Sequence, residues 1–128
     1  MTRRLPKQGE ARLHGKYSIG MGGHINRREA DSPDPIRAGM ARELREEVGL
    51  QTFPEPLHCA GIINDTTEEV GRYHLGLLFP LEVPEEVHVT ETKKMEGGWS
   101  TEAEIEAALP KMEAWSQVVW RNRPLWER

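Results

Sequence analysis

The sequence has a single cysteine in 128 residues, which excludes an intrachain disulfide and with it the small disulfide-stapled class. Aromatic residues make up only 6% of the chain. No apolar run approaches the roughly 18 residues of a membrane span, and the first 30 residues lack an apolar signal core. A cytoplasmic chain with no membrane partner is therefore expected. Charge of one sign is also scarce: the formal net charge is -4, too mild and of the wrong sign for a general binder of long nucleic acids. Repeats and low-complexity tracts are absent, and hydrophobic patterning runs throughout, so one folded domain over residues 1–128 is expected. What charge there is lies unevenly. Residues 1–45 hold ten Lys/Arg against five Asp/Glu, and residues 46–128 hold seven against sixteen.

Glycine and proline punctuate the chain. Residues 1–16 read as the end of a strand followed by a loop, with a turn signal at Pro6-Lys7-Gln8-Gly9. Gly15, Gly20, Gly22 and Gly23 mark turns and close backbone approach. Asp34 is placed to cap a helix whose first residue is Pro35. Ile36, Met40, Leu44 and Val48, spaced by four, form its apolar stripe, and Gly49 ends it. Leu57–Ile63 and Val70–Phe79 read as two strands of a hairpin, with Pro80 and Pro84 ending the run. Val87–Met95 is a weaker strand pattern, broken by Gly97-Gly98. Thr101 with Glu104 fits a capping box for a short helix to about Leu109. Pro110 interrupts it, and Met112, Trp115, Val119, Trp120 and Trp126 suggest a terminal helix with a broad apolar face. The class is mixed α and β.

The first long helix carries the chemistry. At 100° per residue Glu43, Glu46 and Glu47 share an arc of about 100°, beside the apolar stripe. Like charges at these spacings repel by a few tenths of a kcal/mol per pair. Clustered carboxylate oxygens are what a hard divalent cation such as Mg²⁺ takes as ligands. Arg42, four residues before Glu46, is placed to pair with it and hold its rotamer. The alternative from the helix alone is a solvated acidic face laced by Arg42 and Arg45.

The segment Arg42-Glu43-Leu44-Arg45-Glu46-Glu47-Val48-Gly49-Leu50 resembles the second half of the Nudix hydrolase signature, and Gly23 followed after five residues by Glu29 matches the first half. The spacer departs from the pattern. Twelve residues separate Glu29 from Arg42 where the family has seven, so the loop before the helix is longer. The resemblance implies a Nudix-like α/β/α sandwich with a mixed sheet. It also implies Mg²⁺- or Mn²⁺-dependent hydrolysis of a diphosphate linkage in a nucleoside diphosphate derivative. Glu43, Glu46 and Glu47 match metal-binding positions, Arg42 the orienting partner, and Gly23 the glycine whose carbonyl joins the metal shell. Glu96, before Gly97-Gly98-Trp99, is the candidate for a further glutamate from a later loop. The stretches Gly22-Gly23-His24-Ile25-Asn26 and Ile63-Asn64-Asp65 with Val70–Gly76 look like one branch of the family. Likeness spans roughly residues 9 to 120, is dense at 17–50 and 60–79, and leaves the substrate unspecified.

Within this reading water attacks a phosphorus of the diphosphate, and the base is a carboxylate of the cluster or Glu96. Arg27, Arg28, Arg72 and Lys16 are available to phosphate, and Tyr73 to a base. The five histidines have no close pair in sequence, which disfavours a zinc site. Cys59 is expected as a small buried hydrophobe, and Trp115 and Trp120 as core or interface. Only about sixteen residues precede Tyr17, fewer than the family usually has there, so the sheet is expected to be shortened at that end and completed by a homodimer. The rival function is a non-catalytic Nudix-fold module that binds a nucleotide or a protein.

Overall fold

A computed structural model describes residues 1–6, 13–83 and 87–127. It is a small mixed α/β structure with two antiparallel sheets and three helices. The elements in chain order are β1 (Thr2–Arg4), β2 (Tyr17–Ser18), α1 (Pro35–Val48), β3 (Gly61–Ile63), β4 (Gly76–Leu78), β5 (Met95–Gly97), α2 (Glu102–Ala108) and α3 (Ala114–Arg121). Short 3₁₀ turns lie at Arg27–Glu29, Val70–Arg72, Leu109–Lys111 and Arg123–Leu125. Among the described residues no helix is long and apolar enough to cross a membrane.

The first sheet has the order β2-β1-β5, with Arg3 opposite Tyr17 on one side and Glu96 on the other. The N-terminal strand is thus the middle one, and the edges of this sheet belong to β2 and β5. Beyond β2, Tyr17 makes an isolated parallel bridge to Met112 and accepts a hydrogen bond from the Glu113 N–H at 2.8 Å. Alternation decides which side chains go inward: Thr2 and Met95 are buried while Arg3 and Glu96 face out. The second sheet is the hairpin β3-β4, with Gly61 opposite Leu78, Ile62 opposite Leu77 and Ile63 opposite Gly76. The Trp115 ring lies over Gly76 and fastens one face of this hairpin to α3. Val48, Met95, Ala108, Met112 and Trp120 form the buried apolar core, drawn from α1, β5, α2, the residue that follows the Leu109–Lys111 turn, and α3.

Several expected boundaries move. The return strand expected over Val70–Phe79 begins instead with a 3₁₀ turn and is extended only at Gly76–Leu78. Local polar bonds compete with the ladder there: Asp65 Oδ1 accepts from the Thr67 N–H at 2.9 Å and its hydroxyl at 2.6 Å, and the His74 Nδ1 lies 2.8 Å from the Val70 carbonyl. The strand expected over Leu57–Ile63 shortens to Gly61–Ile63. Cys59 therefore sits in the approach to the strand. It is exposed, not buried, with its thiol 3.6 Å from the Gly61 carbonyl. The pattern at Val87–Met95 gives a strand only from Met95, because Thr90 bonds the end of α1 instead of a neighbouring strand. The terminal helix stops at Arg121, and Pro124 restarts the chain as a 3₁₀ turn. Trp120 is buried as expected and donates to Glu106 at 2.7 Å. Lys7–Gly9 and Pro84 lie outside the described residues.

Candidate functional site

The site is built on α1, whose ends are fixed by the residues that the sequence marks. Asp34 accepts a hydrogen bond from the Arg37 N–H at 3.0 Å, with Pro35 at the first helical position. Gly49 closes the helix at φ 67°, and its N–H and that of Leu50 bond the Arg45 and Leu44 carbonyls. The carboxylates of the last two turns thus have a rigid support.

Arg42 is the hub. Its side chain is largely covered. Nε donates to Glu29 Oε1 at 2.8 Å, and one terminal nitrogen donates to the His24 carbonyl at 2.8 Å. The other terminal nitrogen lies 2.7 Å from Glu43 Oε1 and 3.2 Å from Glu46 Oε2. One planar guanidinium therefore ties the glycine-rich loop, the Arg27–Glu29 turn and two helix glutamates together. Its bond to Glu29, opposed by burial and aided by Glu43, pushes its pKa upward. Glu29 is buried, and its other oxygen accepts from the Asn26 N–H. Burial alone would raise its pKa, but bonds from Arg42, Asn26 and Arg28 outweigh that effect and hold it below the ordinary range. The lengthened spacer does not separate Glu29 from Arg42.

Gly23 lies so close to Glu43 that a Cβ at this position would overlap the carboxylate. Gly23→Ala is expected to displace Glu43 from Arg42 and to destabilise the fold by about 1–3 kcal/mol, the usual cost of overpacking. Thermal denaturation checks this, and an unchanged midpoint would contradict the close approach.

Glu47 faces inward and is 5% exposed. Burial first, then the negative charges of Glu43 and Glu91, push its carboxyl up to about 7, against the pull of Arg4 and the Gly22 N–H. Two bonds explain how Glu91 comes there. The Thr90 hydroxyl donates to the Glu46 carbonyl at 2.7 Å, and the Thr90 N–H donates to the Glu47 carbonyl at 2.8 Å. Lys94 pairs with Glu91 at 3.0 Å, and the charges of Glu46 and Glu47 add to the rise in its own pKa. Sequence reasoning missed Thr90, Glu91, Lys94 and Arg4. Threonine followed by alternating charge is an ordinary surface pattern, and nothing in it marks contact with a helix end.

Of the other sequence candidates, Arg28 joins this cluster and the rest are dispersed. Glu96 stands on β5 opposite Arg3, with their charged atoms 3.8 Å apart. Arg27 is exposed in its 3₁₀ turn, Arg72 is exposed in another, and Tyr73 is 80% exposed beside it. Arg28 reaches Glu29 at 3.2 Å and Glu46 at 3.8 Å, while Lys16 lies 3.9 Å from Glu68. His24 and His74, distant in sequence, bring their ring centroids to 5.1 Å. Among the described residues no three His, Cys, Asp or Glu side chains are placed together so as to hold a metal ion. Glu43 and Glu46 are turned onto Arg42 instead.

Comparison with known proteins adds one relative. The chain is 34% identical over 123 residues to Protein YmaB of Bacillus subtilis (strain 168), a match covering 91% of this chain. The chain spans about 60% of the length of that relative. No family model matches the chain, and no solved structure matches it.

Proposed function

We propose that this chain is a Nudix-type hydrolase that cleaves a diphosphate linkage in a nucleoside diphosphate derivative, with Mg²⁺ or Mn²⁺ as cofactor. Its sheets and helices are proposed as the layers of a Nudix-like α/β/α sandwich, with both described sheets antiparallel where the resemblance implied a mixed one. One observation carries the reading: Arg42 joins Glu29, the loop that holds Gly23, and Glu43 and Glu46, so both halves of the motif meet despite the twelve-residue spacer. The donor set suits a hard cation in kind. Glu43, Glu46, Glu47 and the Gly23 carbonyl would hold it, all oxygen donors. Burial chiefly, with repulsion from Glu43 and Glu91 added, raises Glu47 toward 7, and a cation would relieve that repulsion. Bound there, such a cation would neutralise phosphate oxygens and make water more acidic.

The chain's own residues have the following roles. Arg42 fixes the rotamers of Glu43 and Glu46. Glu47, near 7 in the protein alone, is one group suited to exchange a proton with water, and Glu96 remains the other sequence candidate. Arg27 and Arg72 are exposed cations available to phosphate, and Tyr73 offers an exposed ring for a base. The rival reading, a nucleotide- or protein-binding module without catalysis, is favoured by one observation, the engagement of Glu43 and Glu46 with Arg42.

The test is incubation with a panel of nucleoside diphosphate derivatives with Mg²⁺ or Mn²⁺, followed by assay of phosphate products. Turnover of at least one compound, lost in Glu47→Gln, is expected. No turnover of any compound by the wild-type chain would favour the binding module.

A further inference from the structure

Negative charge accumulates at the C-terminal end of α1. Glu43, Glu46 and Glu47 stand in its last two turns, and Glu91 adds its charge to theirs. The end of the helix is also the negative end of its dipole. A diphosphate would bring more negative charge to this place. A bound cation meets part of it, and side-chain cations must meet the rest.

The covered cations nearby are already spent. Arg42 serves Glu29, the His24 carbonyl, Glu43 and Glu46 at once. Arg4 is held by Glu113 at 3.2 Å. Among the described residues two exposed cations border the cluster. The Arg28 side chain is 66% exposed, rests on buried Glu29 at 3.2 Å and lies 3.8 Å from Glu46 Oε1. The Lys94 side chain is 52% exposed and donates to Glu91 at 3.0 Å.

The place of Lys94 is set by backbone contacts, not by the reach of a long side chain alone. Thr90 bonds the Glu46 and Glu47 carbonyls, and its methyl lies close to Gly49 at the helix end. A turn follows in which the Lys94 and Met95 N–H groups both donate to the Glu91 carbonyl, at 2.9 and 3.2 Å. Met95 then enters β5 and is buried. The strap from Thr90 to Met95 thus brings one ammonium to the acidic end of α1, where Glu46 and Glu47 act on it together with Glu91.

We infer that Arg28 and Lys94 together hold the phosphate oxygens of the diphosphate, Lys94 by leaving Glu91 for them. This rests on the hydrolase reading above and names its phosphate-binding pair. Each side chain is exposed enough to turn to a ligand, and each has a carboxylate to rest on without one: Glu29 for Arg28 and Glu91 for Lys94. Both positive charges also oppose a divalent cation at the same carboxylates. The pair therefore acts in opposite directions on the two ligands, favouring the diphosphate and disfavouring the free ion.

Isothermal titration calorimetry of the full chain reads both ligands, first Mn²⁺ alone and then methylenediphosphonate with Mn²⁺ present. Arg28→Gln and Lys94→Gln are each expected to weaken diphosphonate binding by roughly tenfold or more, the scale of a lost charge-assisted hydrogen bond. Mn²⁺ alone should bind as tightly as before or tighter, which also shows that the cluster has stayed folded. Lys93→Gln removes the same charge one residue from Lys94 and is expected to change diphosphonate binding by less than about twofold, since exposed charges not in contact are screened. Undiminished diphosphonate affinity in either Arg28→Gln or Lys94→Gln overturns the proposal and leaves the hydrolase reading standing. So does an equal loss in Lys93→Gln, which would be an effect of net charge, or a parallel loss of Mn²⁺ affinity, which would be damage to the cluster. A wild type that binds no Mn²⁺ removes the hydrolase reading itself and this pair with it.

Discussion

Glu47→Gln is expected to make the metal-free protein more stable at pH 8 while removing the hydrolysis proposed for the chain. Both effects follow from one carboxyl. Glu47 rises from 4.5 to about 7 on folding, chiefly through burial, with Glu43 and Glu91 adding to it. A carboxyl whose folded pKa is raised binds its proton more tightly in the native state. Its ionisation therefore costs stability, not at all below about 4.5, increasingly between 4.5 and 7, and fully above 7. The full cost is on the order of 3 kcal/mol. Glutamine removes the charge and with it the cost, so the variant should gain at pH 8 and show no gain at pH 4. Magnesium should reverse the order at pH 8, stabilising the wild type and leaving the variant unmoved. Denaturant melts at the two pH values, with and without millimolar magnesium, read the effect. Hydrolysis by the variant should fall by about 10²-fold or more, the scale of a group that stabilises the transition state. Equal stability of both proteins at pH 8 would mean that Glu47 does not carry the strain assigned to it.

The second large effect belongs to Arg42. Arg42→Ala leaves Glu29 buried without its principal partner and frees Glu43 and Glu46 from each other's common anchor. Removing one member of a covered ion pair costs more than the pair itself contributes, because the remaining charge is left without compensation. The midpoint of thermal unfolding should drop by several degrees, and activity should fall about 10–100-fold, as for other residues that orient ligands. Arg42→Lys should recover little, since one ammonium cannot reach Glu29, the His24 carbonyl, Glu43 and Glu46 together. Adding Glu29→Gln to Arg42→Ala should restore part of the lost stability and none of the activity. A strictly additive double variant would contradict the coupling.

The parts of the molecule legible in the sequence are those fixed by local rules. The helix Pro35–Val48 was readable from an Asp-Pro start, a stripe spaced by four and a closing glycine, and it has those bounds. The Thr101–Glu104 capping box likewise forms, with the Thr101 N–H 2.7 Å from Glu104 Oε2. The partnership of Arg42 with Glu46 follows from helical spacing. What stayed hidden depends on long-range contact. Nothing local tells that Thr90 bonds the end of α1, that Glu91 therefore faces Glu47, or that His24 meets His74. The strands were overestimated for a related reason. Apolar alternation extends beyond the three-residue ladders, and side-chain bonds from Asp65 and His74 settle where pairing starts. Burial of Cys59 failed with them, because it rested on a strand that begins two residues later.

Titration of the wild-type chain with Mn²⁺, followed by electron paramagnetic resonance with and without methylenediphosphonate as a non-cleavable diphosphate, is the most direct measurement. Stoichiometric loss of the free-ion signal is expected, tightened by the diphosphonate and abolished by replacing Glu46 and Glu47 with glutamine. A free-ion signal that persists undiminished at every protein concentration, diphosphonate present, would contradict a divalent-cation centre on this helix.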